Sequence, residues 1–218
     1  MFHVKHFPLP IQPWQQEKLR SFANLLQNYN KRLNLLSRRT TTGGFIEHIQ
    51  ECLAFIEQPF TAGSSLADWG TGGGLPAIPM AVMLPDVKVY AIDAAQKKIH
   101  AVKAFQRELD LPNLYPWHGR AEEFPFEIQC SVSRATASLR TLWKWHTRVA
   151  TSEGVLYCLK GGDLGAEQRD LETAFPAVEI KQMPVPGSSR FVVRVRSVSP
   201  PADKESREPP PPKERPAQ

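Results

Sequence analysis

The sequence places a run of glycines directly after an aspartate, in the string DWGTGGGLP (68–76). A short apolar segment precedes this string, and a helical pattern follows it. Glycine permits positive φ angles, and its lack of a side chain lets the backbone approach a ligand closely. Ligands of open α/β sheets bind beyond the carboxyl ends of the strands, where such turns lie. The string therefore predicts a cofactor-binding turn.

Two cofactors use a turn of this kind. A dinucleotide fits the pattern Gly72-x-Gly74-x-x-Ala77, which would place a pyrophosphate at the N-terminus of the helix. S-adenosylmethionine fits an acidic residue followed by alternate glycines, here Asp68, Gly70, Gly72 and Gly74. The Asp68 carboxylate suits the ammonium and sulfonium of this cofactor and would repel a pyrophosphate. S-adenosylmethionine is therefore preferred, and the dinucleotide remains the alternative.

Two further acidic residues stand where the next strands should end. Asp93 closes the second predicted strand, where a carboxylate can accept hydrogen bonds from the ribose hydroxyls of either cofactor. The segment Arg120-Ala121-Glu122 follows the third strand. There Glu122 could accept a hydrogen bond from the adenine amine, and the Ala121 amide could donate one to a ring nitrogen. An Arg-x-Glu pair is also common on exposed surfaces, so this assignment depends on its position in the chain.

The hydrophobic pattern predicts the elements that must position these residues. Two amphipathic helices, over 14–33 and 45–56, come first. Strands and helices then alternate, and two successive strands follow near 177–183 and 190–198. Such alternation is typical of a doubly wound, mostly parallel sheet, and the last two strands predict a closing antiparallel hairpin. We therefore expect an α/β fold.

Composition divides the chain into three predicted regions: a helical extension over 1–60, a sheet domain over 61–199 and a tail over 200–218. Seven of the 20 prolines fall in the tail, which carries four basic and four acidic residues and very few apolar ones. Such a segment cannot bury enough surface to offset its ordering entropy. We therefore expect the tail to be disordered.

Cysteine use and hydropathy exclude several classes of protein. The three cysteines form no C-x-x-C pair, which argues against a disulfide scaffold and a zinc knuckle. The N-terminus lacks the apolar run of a signal peptide, and the longest apolar stretch, 75–84, is too short to span a membrane. We expect a cytoplasmic protein without a metal site, and we favour a monomer.

The net charge of +5 is unevenly distributed. Two windows, 18–46 and 128–152, contain basic residues and no acidic ones. Such windows suit a polyanion such as RNA, although they also occur on ordinary solvated surfaces. Arg140, Lys144 and Arg148 recur at four-residue steps, so they would follow RNA phosphates along one helix face. A second patch is predicted at Lys31, Arg32, Arg38 and Arg39.

Five strings occur together in the order and spacing of one family: NKRLNL (30–35), GTGGGLPAIP (70–79), GRAEEF (119–124), SRATASL (133–139) and LKG (159–161). Over residues 22–196 the chain resembles the glucose-inhibited division protein B family (RsmG), the guanine-N7 methyltransferases of small-subunit (16S) ribosomal RNA. The resemblance implies a Rossmann-like methyltransferase domain with a small N-terminal helical extension. It also implies S-adenosylmethionine as the cofactor, and 16S ribosomal RNA, a small subunit or an assembly intermediate as the partner.

The resemblance also implies roles for individual residues. Arg134 and Lys160 would serve the active site, and Arg190 would contact RNA. Cofactor contacts are implied at Gly70, Leu75, Asp93, Ala121, Glu122 and Arg134.

Three departures from the family pattern are present. Ala77 stands where the family has glycine, and Glu47 stands before His48 where the family has arginine. Glu51-Cys52 replaces an Asp-Ser pair after the same histidine. The last two changes lie in the helical extension, so they bear on RNA docking and the target base more than on methyl transfer.

Guanine N7 has a lone pair and no proton to lose, so its methylation requires alignment and a suitable field but no general base. A bidentate grip by arginine on O6 and N7 would block the reaction, so Arg134 could touch only O6, a phosphate or the cofactor carboxylate. An unstacked guanine should lie on an aromatic ring. Trp69 and Trp143 are candidates, although both also fit a hydrophobic core.

Two other functions remain open. A nicotinamide-dependent, NAD(P)-type oxidoreductase would use Gly72, Gly74 and Ala77. An RNA-binding assembly factor would keep the cofactor pocket without turnover.

Overall fold

A seven-stranded sheet lies at the centre of the computed structural model, which describes residues 11–36, 42–134 and 136–198. Its strands are β1 (Ser65–Trp69), β2 (Lys88–Asp93), β3 (Leu114–His118), β4 (Ile128–Arg134), β5 (Ala150–Gly161), β6 (Val178–Pro184) and β7 (Arg190–Ser197). Their order is β3-β2-β1-β4-β5-β7-β6, and β7 runs antiparallel to both of its neighbours. The predicted mostly parallel sheet with a closing antiparallel strand is confirmed.

The strand order reverses at β1, which has β2 and β3 on one side and β4 on the other. These four strands are mutually parallel, so their carboxyl ends share one edge of the sheet. Connections diverge to opposite faces at such a point and leave a crevice beyond the strand ends. Asp68, Asp93 and Arg134 stand at the ends of β1, β2 and β4, and are therefore brought to this crevice.

Helices cover both faces of the sheet. They are α1 (Pro13–Leu33), α2 (Thr42–Leu53), α3 (Ala77–Met83), α4 (Gln96–Glu108), α5 (Leu139–Val149) and α6 (Gly165–Ala174). A 3₁₀ turn, Ala54–Glu57, forms the end of the second predicted helix. A second 3₁₀ turn, Ala121–Glu123, stands between β3 and β4.

Helix α1 begins and ends where its sequence requires. Pro13 occupies the first turn, where its missing N–H is not needed, and the Gln15 side chain accepts a hydrogen bond from the Gln12 amide at 2.9 Å. Asn34 ends the helix with a left-handed φ of 49°. Leu19 and Phe22 lie on its buried face, so α1 is held by packing as well as by its own hydrogen bonds.

The structure describes only part of the three regions into which the sequence was divided. The tail over 200–218, with Arg38 and Arg39 of the basic patch, lies outside the described residues. The boundary at residue 60 stays a prediction. One buried hydrophobic cluster crosses it, because Phe55 belongs to the same cluster as Val89 of β2.

The apolar string VLYCLK (155–160) predicts a strand that begins at Val155, and β5 differs from this prediction. The strand starts at Ala150 instead, because Ala150 pairs with Ile128 of β4 before the register shifts. The polar segment Thr151-Ser152-Glu153-Gly154 therefore lies within a strand, although its composition is typical of a turn.

Candidate functional site

A cavity of about 490 Å³ opens beyond the carboxyl ends of β1, β2 and β3. It has the size expected of a small-molecule site. Its wall includes seven of the predicted cofactor residues: Gly70, Gly72, Leu75, Asp93, Ala121, Glu122 and Arg134. Asp68 and Gly74, the other two, are not in the wall. The crevice predicted from the strand order is thus a real cavity.

Gly70 requires glycine for two reasons. Its φ is +75°, in the left-handed region that residues with a Cβ adopt only with strain. A Cβ at this position would also overlap the methyl group of Thr136 and lie 2.6 Å from the Thr136 hydroxyl. The bare backbone of Gly70 therefore forms part of the cavity surface.

Gly73 is required for packing instead. A Cβ there would lie 2.7 Å from the Leu26 side chain and 3.0 Å from the Leu35 Cβ. Contacts this short occur only if the neighbours move. Because Gly73 has no side chain, Leu26 and Leu35 of the N-terminal segment can pack directly against the turn.

The N-terminal segment also contributes to the cavity wall, through Leu35 and Leu36. The Asn30 side chain accepts a hydrogen bond from the Leu36 amide at 2.7 Å and fixes the chain just beyond α1. Leu35 is buried against the glycine turn. The string NKRLNL thus closes one side of the cavity.

Asp68 lies beneath the turn and is fully buried. Its Oδ2 accepts a hydrogen bond from the Ala77 amide at 3.0 Å, while Oδ1 has no hydrogen-bond partner among the described residues. Burial raises the pKa of Asp68 to about 7, against the lowering effects of the nearby Thr71 hydroxyl, the Ala77 amide and the Arg134 charge. Asp68 holds the start of α3, and its predicted contact with the cofactor stays a prediction.

Asp93 projects from the end of β2 into the cavity. Its carboxylate accepts hydrogen bonds from the amides of Gly72 at 3.0 Å and Ala95 at 2.8 Å. Lys98 of α4 lies 3.5 Å from the same carboxylate. The side chain is therefore fixed in orientation by groups on both sides, as a binding residue requires.

The 3₁₀ turn after β3 brings Ala121 and Glu122 to the opposite wall. Glu122 Oε1 accepts a hydrogen bond from the indole N–H of Trp145 at 2.8 Å. The Arg148 guanidinium donates to the carbonyl groups of Ala121 and Phe124. Helix α5 therefore supports the wall through two side chains, and Arg148 is turned toward the protein backbone.

Arg134, at the end of β4, stands at the centre of a charged cluster. Its Nη1 lies 3.7 Å from Glu51 Oε2, and Arg190 Nε donates to Glu51 Oε1 at 2.7 Å. His48 Nδ1 is 3.5 Å from Glu51 Oε2. Burial alone would raise the pKa of Glu51, but its contacts with these three basic side chains hold the pKa below the ordinary value. The structure thus joins two predicted functional arginines through one carboxylate.

The remaining predicted residues lie outside the cavity wall. Lys160 Nζ donates to Glu167 at 2.8 Å and to the Ala137 carbonyl at 2.7 Å, and its catalytic role stays a prediction. Arg140 pairs with Asp170 at 2.9 Å. Exposed residues of the predicted basic patches are Lys31, Arg32, Lys144 and Arg148.

Both tryptophans considered for base stacking belong to the core. Trp69 is fully buried against Phe124, and Trp143 is buried beside His146. Trp145 is the tryptophan that reaches the cavity. Its position depends on how α5 docks on the sheet, which no local pattern specifies.

The residues that depart from the family pattern differ in their exposure and in their contacts. Glu47 is exposed, whereas Cys52 and Ala77 are fully buried. Glu51 belongs to the cluster at Arg134. Of the four residues in these three departures, Glu51 is therefore the one that contacts a residue of the cavity wall, Arg134.

The described residues include no helix long and apolar enough to cross a membrane. In residues 11–36, 42–134 and 136–198, no three His, Cys, Asp or Glu side chains are grouped so that they could hold a metal ion.

The fold is shared with known methyltransferases. A SAM-dependent methyltransferase from Aquifex aeolicus superposes with a TM-score of 0.56 at 17% identity, covering 79% of this chain and 97% of the other. Ribosomal protein L11 methylase from Lactobacillus delbrueckii subsp. bulgaricus gives a TM-score of 0.58 at 16% identity, over 70% and 79% of the two chains. These likenesses show that the chain has a Rossmann-like methyltransferase fold, in which the glycine turn and the strand-end carboxylate of Asp93 lie in one cavity.

The family described as rRNA small subunit methyltransferase G (GidB) matches residues 15–193. The proteins of that name from Salinibacter ruber and Chlorobium limicola are 41% and 39% identical, over 177 and 157 residues. These matches cover 77% and 71% of this chain, and 82% and 71% of the relatives. The chain belongs to this family, and the dinucleotide oxidoreductase is not favoured.

The residues in the cavity fit S-adenosylmethionine. The Asp93 carboxylate lines the cavity and is held by two amides, which suits hydroxyl donors from a ribose. A Cβ at Gly70 would overlap Thr136, which is another residue of the cavity wall. Both features belong to a site that receives a nucleoside.

Proposed function

We propose that this chain methylates N7 of a guanine in small-subunit (16S) ribosomal RNA. The observation that carries the proposal is the cavity between the glycine turn and Asp93, in a chain of this family. The family's printed name supplies the ribosomal RNA, and the resemblance of the five sequence strings supplies the guanine N7.

S-adenosylmethionine would supply a methyl group activated by its sulfonium. Asp93 would accept hydrogen bonds from the ribose hydroxyls, and Glu122 with the Ala121 amide would bind the adenine. Arg134 would pair with the carboxylate of the cofactor. Gly70, Gly72 and Leu75 would form the surface that contacts it. Asp68 and Gly74 would act from beneath by shaping the turn.

The chemistry requires little from side chains beyond alignment. N7 attacks with its own lone pair, so no base has to remove a proton, and the step depends on proximity and on the local field. The methylated purine carries a positive charge. Glu51 offsets one of the two positive charges of Arg134 and Arg190, which would reduce the repulsion between these guanidinium groups and the nascent cation.

RNA would reach this site across the basic windows. The exposed Lys31, Arg32 and Lys144 are suited to phosphate contacts, because surface cations displace counterions from RNA. The helical extension, 1–60, would then dock RNA while the 61–199 domain binds the cofactor. An enzyme acting on ribosomal RNA would work in the cytoplasm.

The proposal is tested with tritiated S-adenosylmethionine and 16S ribosomal RNA that lacks the modification, supplied as naked RNA, as an assembly intermediate or as small subunits. Label transfer to at least one of these forms, mapped to N7 of one guanine, is expected. Label on another base would contradict the guanine assignment. Bound cofactor without transfer to any form would favour the assembly-factor alternative.

A matched pair of variants identifies the site in the same assay. Asp93→Asn removes the charge that faces the cavity, and Asp86→Asn makes the same change on an exposed loop. Transfer by Asp93→Asn should fall by at least about 10-fold, since hydrogen bonds to a charged acceptor contribute about 1.5–3 kcal/mol. Asp86→Asn should retain the native rate. Equal rates for the two variants would remove Asp93 from the site.

A further inference from the structure

Glu51 of α2 contacts two strands of the sheet, through Arg134 of β4 and Arg190 of β7. Its two carboxylate oxygens face three basic side chains from three elements: His48 on α2, Arg134 on β4 and Arg190 on β7. The strongest contact, from Arg190 Nε at 2.7 Å, is a hydrogen bond. The carboxylate is thereby fixed from the β7 side.

Arg134 is held differently. The distance of 3.7 Å between its Nη1 and Glu51 Oε2 is too long for a hydrogen bond, so this contact is electrostatic. Nη1 is buried and has no hydrogen-bond acceptor among the described residues. A buried guanidinium nitrogen without an acceptor is costly unless a ligand completes it. Because Arg134 lies in the cavity wall, that ligand would come from the cavity.

We infer that Glu51 is a positioning residue, which holds the Arg134 guanidinium ready for the carboxylate of S-adenosylmethionine while leaving its N–H groups free to donate. The inference rests on the proposed function, and it adds that cofactor affinity depends on a residue of the helical extension. An arginine side chain loses about 2 kcal/mol of rotamer freedom when it is fixed, and Glu51 imposes this order before the cofactor arrives.

The chain contains a matched control at Glu179. The Glu179 carboxylate also pairs with two arginines, Arg194 at 2.6 Å and Arg196. Both arginines lie on β7, the strand that carries Arg190. None of the three residues lies in the cavity wall. Loss of the Glu179 carboxylate therefore removes an equivalent double ion pair without touching the cavity.

The experiment measures S-adenosylhomocysteine binding by calorimetry, with thermal unfolding recorded for each variant. Glu51→Gln should raise the Kd about 5- to 10-fold, and Glu179→Gln less than about 2-fold. Glu51→Asp keeps the charge and should stay within about 3-fold of the native Kd. A Kd unchanged or lowered by Glu51→Gln would overturn the inference, because Glu51 would then be irrelevant to Arg134 or a competitor for it.

A double-mutant cycle separates positioning from general support of the fold. In an Arg134→Ala background, Glu51→Gln should change the Kd by less than about 2-fold, since the residue it positions is gone. A full 5- to 10-fold effect in that background would show that Glu51 acts elsewhere and would overturn the inference. If the native chain fails to bind S-adenosylhomocysteine, the proposed function falls as well. Native binding with an unaffected Glu51→Gln variant removes the inference alone.

Discussion

The indole N–H of Trp145 donates a hydrogen bond to Glu122 Oε1 across 2.8 Å, and this contact joins α5 to the turn that follows β3. Both residues line the cavity. The protein itself thus orients the Glu122 carboxylate toward α5. The orientation of a predicted adenine-binding residue therefore depends on a helix that lies far from it in the sequence.

Replacing Trp145 with phenylalanine should weaken S-adenosylhomocysteine binding about 2- to 10-fold, the range expected for one net hydrogen bond. The reason is that Glu122 loses the donor that orients it. Calorimetric Kd values check the result. Trp14→Phe, at an exposed position on α1, is the control and should leave the Kd unchanged. Equal effects of the two changes would contradict an orienting role for Trp145.

Gly70→Ala should raise the Kd for S-adenosylhomocysteine by at least about 10-fold, because left-handed strain of about 1–2 kcal/mol is added to the overlap with Thr136. Gly63→Ala is the matched control. Gly63 has a similar φ of +80°, and a Cβ there meets nothing within 4 Å. Gly63→Ala should lower the free energy of unfolding by about 1–2 kcal/mol through the same backbone strain and leave binding intact. A weaker ligand affinity in both variants would show that strain alone, and not the cavity, is responsible.

Gly73→Ala should destabilise the fold by about 1–3 kcal/mol in urea unfolding, the usual consequence of an overpacked contact. The added Cβ would press on Leu26 and Leu35 and displace the segment beyond α1 from the turn. Leu26→Ala, which makes room for it, should therefore lose less additional stability in the Gly73→Ala background than in the native chain. Strict additivity of the two changes would contradict this packing role.

Stability should depend on pH through Asp68. The carboxyl is fully buried, and its pKa is raised from 3.8 to about 7, so between these values the folded chain binds a proton that the unfolded chain releases. The contribution of this group to stability is therefore fully present below the unfolded-state pKa of 3.8, and it is lost as the pH rises through about 7. The difference approaches about 4 kcal/mol at pH 8.

Urea unfolding at pH 5 and pH 8, in the native chain and in Asp68→Asn, measures this dependence. The native chain should lose stability relative to Asp68→Asn on going to pH 8, because asparagine cannot ionise. A constant difference between the two proteins across this range would show that the Asp68 carboxyl titrates in the folded chain as it does in the unfolded chain.

Substitutions at Lys144 and Arg148 should have different effects, because the first residue is suited to RNA binding and the second supports the cavity wall. Lys144→Met removes an exposed cation, so RNA binding should weaken and the salt slope should fall by about one. Arg148→Met removes the donor to the Ala121 and Phe124 carbonyls, so it should weaken S-adenosylhomocysteine binding and leave the RNA salt slope intact. Filter binding at several salt concentrations and calorimetry check both results. The reverse pattern would contradict the assignment.

The sequence predicted the helices and strands closely because their hydrophobic periods are regular. Helix α1 was predicted over 14–33 and occupies Pro13–Leu33. The start of β5 was missed, because Ala150 joins the sheet through a shift in the pairing with β4 and not through any local preference for strand. Local pattern therefore specified the elements, and long-range pairing set their ends.

The site residues that could be predicted from the sequence are those that directly follow a predicted strand. Asp93 and Gly70 follow from their position after a strand, and the structure places both in the cavity wall. Leu36, Thr136 and Trp145 line the same cavity, but no spacing or charge distinguishes them from packing residues. The bridge from Glu51 to Arg134 joins α2 to β4 across the tertiary structure. Contacts of that kind depend on how the elements dock.

The cavity wall extends in sequence from Leu35 to Trp145, so a nascent chain cannot present a complete binding site until α5 has emerged from the ribosome. From then on the ligand and the fold are thermodynamically linked. At 100 times its Kd, a bound ligand adds about 2.7 kcal/mol to the free energy of unfolding. The cellular concentration of the methyl donor would then affect the fraction of the protein that is unfolded as well as its turnover rate.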